Sequence, residues 1–461
     1  MLNKQRLHFS TIFENILSII VFIFIILFST LDNIVVNIMK DIDLTKYHNI
    51  NMLGFCLALL VIIIAFLIVF IIYYIKWLNT YVYFDKDTFV IEKGKLFKKT
   101  TTIKLKDISN INMKKNIFQK TIGTCQLKLD LNNMENNITT KLVFKESTAI
   151  AIKNNIVNKE EIKTLTGHSL LNFKLKDIIK HSLMSLNIIS MLFLLIIYMP
   201  FIFYLTNNYT SIIIIILMSI SAIWMIISKT LGYMNFCLVK NDDHLTVSYG
   251  FFTTITNNIY FDKINAVIIN QSLQARIFKK YLIEVVIASS DDDEKKKQIL
   301  SLYVSNKVFN TLMTDLLADY ITTNKIINQE PKALITIVLN NLLLIIIIIV
   351  MSYNISPYIL LLLLIILLNI ILTYKTKKLM VADKLVIIDG IYNKRTSIIK
   401  YEKIEQIKIT KSLFARLVKL NNLTVYIIGS NLNSIFKTGY FTKTVSEEVI
   451  NKMFSKLIKY N

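Results

Sequence analysis

The sequence predicts a polytopic α-helical membrane protein: six transmembrane helices in three hairpins, each hairpin followed by a β-rich domain. Three observations predict this class. The chain of 461 residues is 54% hydrophobic, with aliphatic runs longer than a soluble core needs. Its basic residues lie on one side of those runs, and one strand pattern recurs three times along the chain.

The apolar stretches come in pairs and approach the length of a membrane span, about 20 residues. They are Phe13–Leu31, Met52–Leu78, Leu183–Leu205, Ser211–Leu231, Leu334–Met351 and Tyr358–Tyr374. Because Glu14 lies near the start of the first stretch and no small-residue cleavage site follows it, we expect a retained helix rather than a cleaved signal peptide. Unbroken helices without ionisable residues at their centres are expected throughout.

The formal net charge is +22, which in a soluble protein would suggest nucleic acid. Here Lys4 and Arg6 precede the first apolar stretch, and Lys-rich segments follow the second, fourth and sixth. The connections within the pairs are poor in basic residues. The positive-inside rule therefore places both termini and all three β-rich segments in the cytoplasm. This sidedness accounts for the charge, and we expect no nucleic-acid partner.

The three β-rich segments, called copies one, two and three along the chain, align on a glycine between two short strands: Gly94, Gly250 and Gly390. A strand that runs into a glycine turn and a second strand indicates a hairpin. Fourteen residues after the glycines stand Ile108, Ile264 and Ile404. A short apolar–basic element then follows at equal spacing in each copy: Ile117–Lys120, Leu273–Arg276 and Leu413–Arg416. We expect its basic residue to cover apolar surface or to hold a loop.

A helix is expected at the end of each segment. In copy three, Thr444–Glu447 has the pattern of a capping box, and apolar residues recur behind it at helical spacing. Ser305 can cap the corresponding helix of copy two. Several strands closed by one helix are the outline of a small barrel or sandwich.

This outline resembles the bacterial pleckstrin-homology-like (PH-like) domain of the second type, which occurs beside paired transmembrane helices. The residues that carry the resemblance are the three glycines, the isoleucines that follow them, and Leu273–Arg276 and Leu413–Arg416. Copy one departs from the pattern, with Lys120 for Arg and Gly123 where the other copies have Lys279 and Lys419. The whole chain is similar to the YdbT-like bacterial membrane proteins.

That resemblance implies three cytoplasmic PH-like β-barrel or sandwich domains, each closed by a C-terminal helix, in a multi-pass protein of the bacterial cytoplasmic membrane. It implies a binding role, with a link to envelope homeostasis or tolerance of envelope-active compounds, and no reaction. The expected boundaries run in the order N-terminus and hairpin one, domain one, hairpin two, domain two, hairpin three, domain three: 1–78, 79–166, 174–234, 235–325, 333–376 and 378–461.

No catalytic pattern accompanies this outline. The sequence has no phosphate-binding or dinucleotide glycine loop and no hydrolase or metalloprotease motif. The three cysteines (Cys56, Cys125, Cys237) and five histidines match no metal site, and Asp291–Glu294 lacks the spacing of a calcium loop. We therefore expect a protein that is not an enzyme and uses no cofactor or metal.

Adjacent cations follow the glycine turn in two copies: Lys98 and Lys99 in copy one, Lys394 and Arg395 in copy three. One hypothesis is that they contact anionic lipid headgroups or a protein partner. The alternative is a solvated strand edge that Lys protects from aggregation. Copy two has Thr254 and Ile255 at these positions, so it is expected to contribute architecture more than binding.

The leading functional hypothesis is a membrane-anchored scaffold whose three modules bind proteins, lipid headgroups or each other. The alternative is a component of a transporter or permease for hydrophobic or amphiphilic compounds. Neither hypothesis specifies the partner or the oligomeric state.

Overall fold

The computed structural model describes residues 4–16, 50–94, 98–105, 108–131, 142–156, 169–186, 208–287, 298–322, 325–354, 357–427 and 435–458. The chain forms two compact units. The first comprises residues 1–129 and 140–164, and the second comprises residues 130–139 and 165–461. Most of the first and third predicted spans, and the segment Asp291–Glu294, lie outside the described residues.

The first unit contains copy one. Its elements are β1 (Gln5–Arg6), α1 (Ile50–Leu78), β2 (Thr80–Asp85), β3 (Thr88–Lys93), β4 (Lys99–Lys104), β5 (Ile108–Lys115), α2 (Ile117–Ile122), β6 (Thr124–Leu131), β7 (Leu142–Lys145) and α3 (Glu146–Ile156). Strands β1 to β4 form an antiparallel sheet in chain order. Strands β5, β6 and β7 are neighbours in a second sheet, and α3 follows them.

The second unit contains copies two and three. Copy two has β8 (Ser169–Asn172), α4 (Leu175–Met184), α5 (Asn208–Gly232), β9 (Cys237–Lys240), β10 (His244–Tyr249), β11 (Thr254–Tyr260), β12 (Ile264–Gln271), α6 (Leu273–Ile277), β13 (Lys280–Ile287), β14 (Gln298–Ser305) and α7 (Asn306–Leu316). Copy three has β15 (Ile327–Asn328), α8 (Lys332–Asn340), α9 (Leu342–Asn354), α10 (Leu361–Thr376), β16 (Lys378–Val381), β17 (Lys384–Asp389), β18 (Lys394–Lys400), β19 (Ile404–Thr410), α11 (Leu413–Leu417), β20 (Leu420–Ile427), β21 (Ile435–Thr442) and α12 (Lys443–Ile458).

The predicted glycine hairpins are confirmed. Gly250 and Gly390 have φ angles of 111° and 92°, in the region that L residues rarely adopt. A Cβ atom at either position would lie 1.9 Å from the carbonyl oxygen of the residue three further along. Only glycine fits where the two strands of each hairpin join.

The short apolar–basic element is a one-turn helix with the same cap in all three copies. Ser272 and Ser412 each accept a hydrogen bond from the backbone N–H three residues later, and Asn116 does so in copy one. Gly123, Lys279 and Lys419 all have positive φ, from 49° to 72°. The glycine of copy one therefore occupies the same left-handed turn that lysines occupy in the other copies.

The helix at the end of copy three begins at Lys443, one residue before the expected capping box at Thr444. Thr444 is thus inside the helix, and its hydroxyl group is hydrogen-bonded to that of Thr442 at 2.8 Å. Ser305 is the N-cap of α7 as expected, although its side chain makes no capping hydrogen bond.

Each copy has a short strand that the sequence did not predict. Strands β1, β8 and β15 precede the helices of their copies and pair antiparallel with β2, β9 and β16, the first strands after the helices. The apolar helices of each copy are thus an insertion between two neighbouring strands of one sheet.

The prediction of six transmembrane helices in three hairpins is wrong for the part of the chain that the structure describes. No single helix there is both long and apolar enough to cross a membrane; only α8 and α9, bent by 51°, meet the criterion as a pair. The last predicted span is the 16-residue helix α10. At 1.5 Å per residue it is about 24 Å long, shorter than the ~30 Å hydrocarbon core.

The break between α8 and α9 was also unexpected, because Leu334–Met351 was predicted to be one helix. The Asn341 side chain donates to the carbonyl oxygen of Ile337 at 2.8 Å. The Asn340 side chain donates to the Tyr440 hydroxyl group at 2.8 Å. Polar contacts, one to the preceding turn and one to strand β21, thus accompany the bend in an otherwise apolar run.

A buried glutamine joins three elements of copy three beside this break. Gln329 accepts from the N–H of Tyr440 at 2.8 Å and donates to the carbonyl oxygens of Thr373 and Tyr374 at 3.2 and 2.8 Å. A Cβ atom at Gly439 would lie 2.4 Å from the Gln329 side chain. The segment before the helices, the end of α10 and strand β21 are therefore held together at one point.

His181, on α4, is buried beneath the rings of Tyr233 and Tyr303. Its Nδ1 atom accepts from the N–H of Tyr303 at 3.3 Å. Burial and, secondarily, the charge of Lys229 lower the pKa of His181 from 6.5 to about 4. The neutral imidazole is the form that the fold accommodates.

We predict that the protein loses stability as the pH falls from 6.5 towards about 4, because within this window the unfolded chain binds a proton that folded His181 does not. The loss reaches at most about 3 kcal/mol. Urea unfolding followed at pH 7.5 and pH 5 measures it. His181→Gln keeps an acceptor but cannot titrate, so this variant shows a weaker pH dependence; an unchanged dependence contradicts the assignment.

Candidate interaction site

Copies two and three are joined by a strand pair, here called the seam. Strand β12 of copy two lies antiparallel to β18 of copy three, in a register that runs from Ala266 opposite Ile399 to Gln271 opposite Lys394. The result is a continuous seven-stranded sheet in the order β14-β13-β12-β18-β17-β16-β15. Each half of this sheet comes from a different copy.

Apolar side chains from the two copies mix on both faces of the seam. Val386 and Ile398 of copy three belong to the hydrophobic core of copy two. Ala266 and Ile268 of copy two belong to the core of copy three, and both are fully buried. Separation of the copies would expose apolar side chains of both cores to water. The seam is therefore part of the fold rather than a contact between two independently folded domains.

Arg276 holds the glycine turn of the neighbouring copy at the end of the seam. Its guanidinium group donates to the carbonyl oxygens of Ile391 and Tyr392 at 2.5 and 2.6 Å. These carbonyls directly follow Gly390, the residue that makes the turn possible. The expectation that the basic residue of the short helix holds a loop is met in copy two, and the loop belongs to copy three.

Two of the four predicted contact residues, Lys394 and Arg395, lie in the seam. The Arg395 Nε atom is 3.3 Å from a carboxylate oxygen of Asp389, which lies opposite it on β17. Desolvation, with smaller contributions from Arg276 and Lys378, lowers the pKa of Lys394. Because β12 covers β18, this strand is not the solvated edge of the alternative hypothesis. The basic residues Lys394, Arg395, Arg276 and Lys378 accompany the acidic residue Asp389 in this part of the seam, which leaves an excess of positive charge.

The other two, Lys98 and Lys99, lie in the first unit at the start of β4. The Lys98 side chain is 62% exposed, and its Nζ atom is 3.4 Å from Glu92. Hydrogen bonds from Lys4, at 2.5 Å, and from Tyr83, at 2.9 Å, hold the pKa of Glu92 at about 2. Glu92 is thus a fixed anion that already has three partners.

Lys99 lies opposite Lys93 in the β3–β4 pair. Burial, and to a smaller extent the charge of Lys99, lowers the pKa of Lys93. The four predicted residues thus fall in two settings, an exposed edge and a covered seam. Their binding of headgroups or partners stays a prediction.

A second basic group, which the sequence analysis missed, lies where β1 meets the end of α1. The guanidinium group of Arg6 lies over the rings of Trp77 and Tyr81, at 5.2 and 5.0 Å from their centroids. Trp77 in turn donates to the carbonyl oxygen of Leu7 at 2.8 Å. Trp and Tyr beside cations at the end of an apolar helix were a visible signal, because this combination is typical of membrane interfaces.

The described residues contain no group of three or more His, Cys, Asp or Glu side chains that could hold a metal ion. A family model described as a bacterial PH domain matches the chain three times, over residues 20–168, 182–313 and 333–452. No curated protein matches the chain.

Arg276 and Arg416 form a matched pair for testing the seam, because they occupy the same position in copies two and three. We predict that Arg276→Ala lowers the free energy of unfolding by about 1.5–3 kcal/mol, since two charge-assisted hydrogen bonds are lost. Arg416→Ala, at an exposed position, leaves it unchanged within about 0.5 kcal/mol.

Denaturant titration of monomeric protein measures both changes. Hydrogen exchange adds a local readout, because the loss of Arg276 also speeds exchange in β18. Equal effects of the two substitutions would contradict the role assigned to Arg276.

Proposed function

The chain belongs to the bacterial PH domain family, and we propose that it is a non-enzymatic scaffold at the cytoplasmic membrane, whose PH-like modules bind protein partners or lipid headgroups. The observation that carries the proposal is the exposure of large apolar side chains along its helices. In α5, Leu217 is 60% and Trp224 is 65% exposed, and in α9 Leu343 is 74% exposed. Contiguous apolar surface of this kind is typical of contact with a membrane or another protein.

Large apolar side chains are also exposed on and beside the short helices α6 and α11, which supports contact with a membrane or a partner. Ile277 and Phe278 of copy two are 68% and 64% exposed, and Leu413 and Leu417 of copy three are each 72% exposed. Gln274 on α6 donates to the carbonyl oxygen of Leu186, beside the end of α4. The exposed apolar side chains of α6 therefore lie next to the inserted helices of copy two. A membrane that contacts these helices would also contact α6.

Cations beside these apolar surfaces support headgroup binding. Each Lys or Arg near an anionic leaflet contributes about 1 kcal/mol of attraction. Lys98 and Lys99 of copy one are exposed, and in copy three Lys394 lies close enough to Lys378, just past the end of α10, for the two charges to interact. We favour Lys98 and Lys99 as the first contacts, because the other two are partly buried in the seam sheet.

Three family matches along one chain support a relationship to the YdbT-like membrane proteins. A role in envelope homeostasis or in tolerance of envelope-active compounds is proposed from that resemblance. A cytoplasmic orientation of the β-rich domains is proposed from the distribution of basic residues around the apolar stretches.

The bent pair α8–α9 is the one observation that favours a transporter component, because broken helices form the substrate sites of many transporters. Both asparagines at this break have partners within the protein, Ile337 and Tyr440. The break is therefore explained by the attachment of the helices to β21, and a scaffold accounts for the geometry better.

We predict that the full-length protein pellets with the membranes of lysed cells and stays there in high salt, because apolar contacts are not screened. Release into the soluble fraction would contradict the proposal. Substrate-dependent flux in proteoliposomes would favour the transporter instead.

Vesicle flotation with the purified chain tests the headgroup contact. Charge reversal of Lys98 and Lys99 to Glu should weaken binding to phosphatidylglycerol-containing vesicles about tenfold or more. The matched control reverses Lys86 and Lys104, which lie at the opposite end of the same three strands. Equal losses in both double variants, at unchanged unfolding temperatures, would exclude a specific contact at Lys98 and Lys99.

A further inference from the structure

Strand β19 of copy three is the counterpart of β12, yet its outer edge is open among the strands that the structure describes in this unit. It is the last strand of the sheet β19-β20-β21. Ala266 and Ile268 on β12 are fully buried, whereas Gln406 and Lys408 at the same positions on β19 are exposed. Copy three thus has the counterpart of β12, but no described strand of this unit pairs with its outer edge as β18 pairs with β12.

The short helix beside this edge has the same open character. Arg276 of copy two binds two carbonyl groups of the neighbouring glycine turn, whereas Arg416 is exposed. Leu413 is 72% exposed, about twice the 37% of Leu273, its counterpart in copy two. Ser412 caps α11 as Ser272 caps α6, so the two short helices begin with the same N-cap hydrogen bond.

The counterpart of the covering strand is exposed in copy one. Strand β4 occupies the position of β18, and it ends the sheet β1-β2-β3-β4 of the first unit. Thr102 is exposed, whereas Ile398 at the same position on β18 is buried. With three consecutive Thr residues, Thr100 to Thr102, this edge has the backbone groups and the β-propensity to add to another sheet.

The two open edges fit one another by strand number. Joined through β19 and β4, the three-stranded and four-stranded sheets would give the seven strands found in the seam sheet. The register of the seam would place Lys408 opposite Thr101, as Ile268 lies opposite Ser397.

We propose that β19 of one chain pairs antiparallel with β4 of a second copy of this chain. The occupant is a second copy because the strand that covers the equivalent edge in copy two is a strand of this same repeat. The interface joins two different surfaces, so the assembly is head-to-tail. The pairing would cover Lys98 and Lys99 as the seam covers Lys394 and Arg395, so one β4 edge either contacts headgroups or pairs with β19.

Proline substitutions test the pairing, because proline removes the N–H group that an added strand requires. Successive N–H groups point to opposite sides of a strand, so each edge is probed at two consecutive positions. These are Lys408→Pro and Ile409→Pro in β19, and Thr101→Pro and Thr102→Pro in β4. On each edge, the variant with an unchanged unfolding temperature is the one to use.

The full-length protein in detergent should form oligomers by light scattering, and each chosen variant alone should be monomeric. Mixing the β19 variant with the β4 variant should restore a dimer, since each chain then contributes its intact edge. Three outcomes overturn the proposal: a monomeric wild type, self-association of either variant alone, or no dimer on mixing.

Discussion

The antiparallel pairing of β12 with β18 is the interaction on which the rest of the second unit depends. It brings Val386 and Ile398 into one core, and Ala266 and Ile268 into the other, so neither core is complete without the neighbouring copy. It also fixes the glycine turn at Gly390 against Arg276. The backbone groups along β12 and β18 would otherwise be two open edges, which a folded protein must pair or protect.

The helices are subordinate to this sheet architecture. Each set is inserted between two neighbouring strands of one sheet, so its two ends are fixed by the hydrogen bonds of that sheet. In copy three the attachment is closer still, because Gln329 joins β21 to the end of α10 and Asn340 reaches Tyr440. Whatever the exposed apolar faces contact is therefore rigidly connected to the β-rich modules, and this connection is the physical basis for the proposed scaffold.

The features that the sequence predicts well are local ones. The glycine hairpins follow from a positive φ at Gly250 and Gly390, and three equal spacings reveal the repeat. The left-handed residue after the short helix shows the limit of this reasoning. Gly123 looked like a departure from the pattern because lysine rarely adopts positive φ, although Lys279 and Lys419 do so here.

The features that the sequence misses depend on contacts between distant residues. The two-residue strands β1 and β15 are too short to have a periodicity, and they exist because β2 and β16 offer an edge. The break at Asn341 lies in an apolar run, and the polar contacts at the break include one to distant Tyr440. The sequence suggests a free strand edge at Lys394 and Arg395, because nothing in their local pattern indicates that β12 pairs with this strand.

The central claim is that the next copy completes the sheet of copy two in one defined register, and a register-specific disulfide tests it most directly. Opposed residues of an antiparallel pair have Cβ atoms about 4.5–5.5 Å apart. Cysteines at Ile269 and Thr396, which lie opposite one another, should form an intramolecular disulfide in the full-length protein, mapped by mass spectrometry. Cysteines at Ile269 and Ser397 point to opposite faces and should not. Equal yields from the two pairs, or none from the first, would contradict the seam.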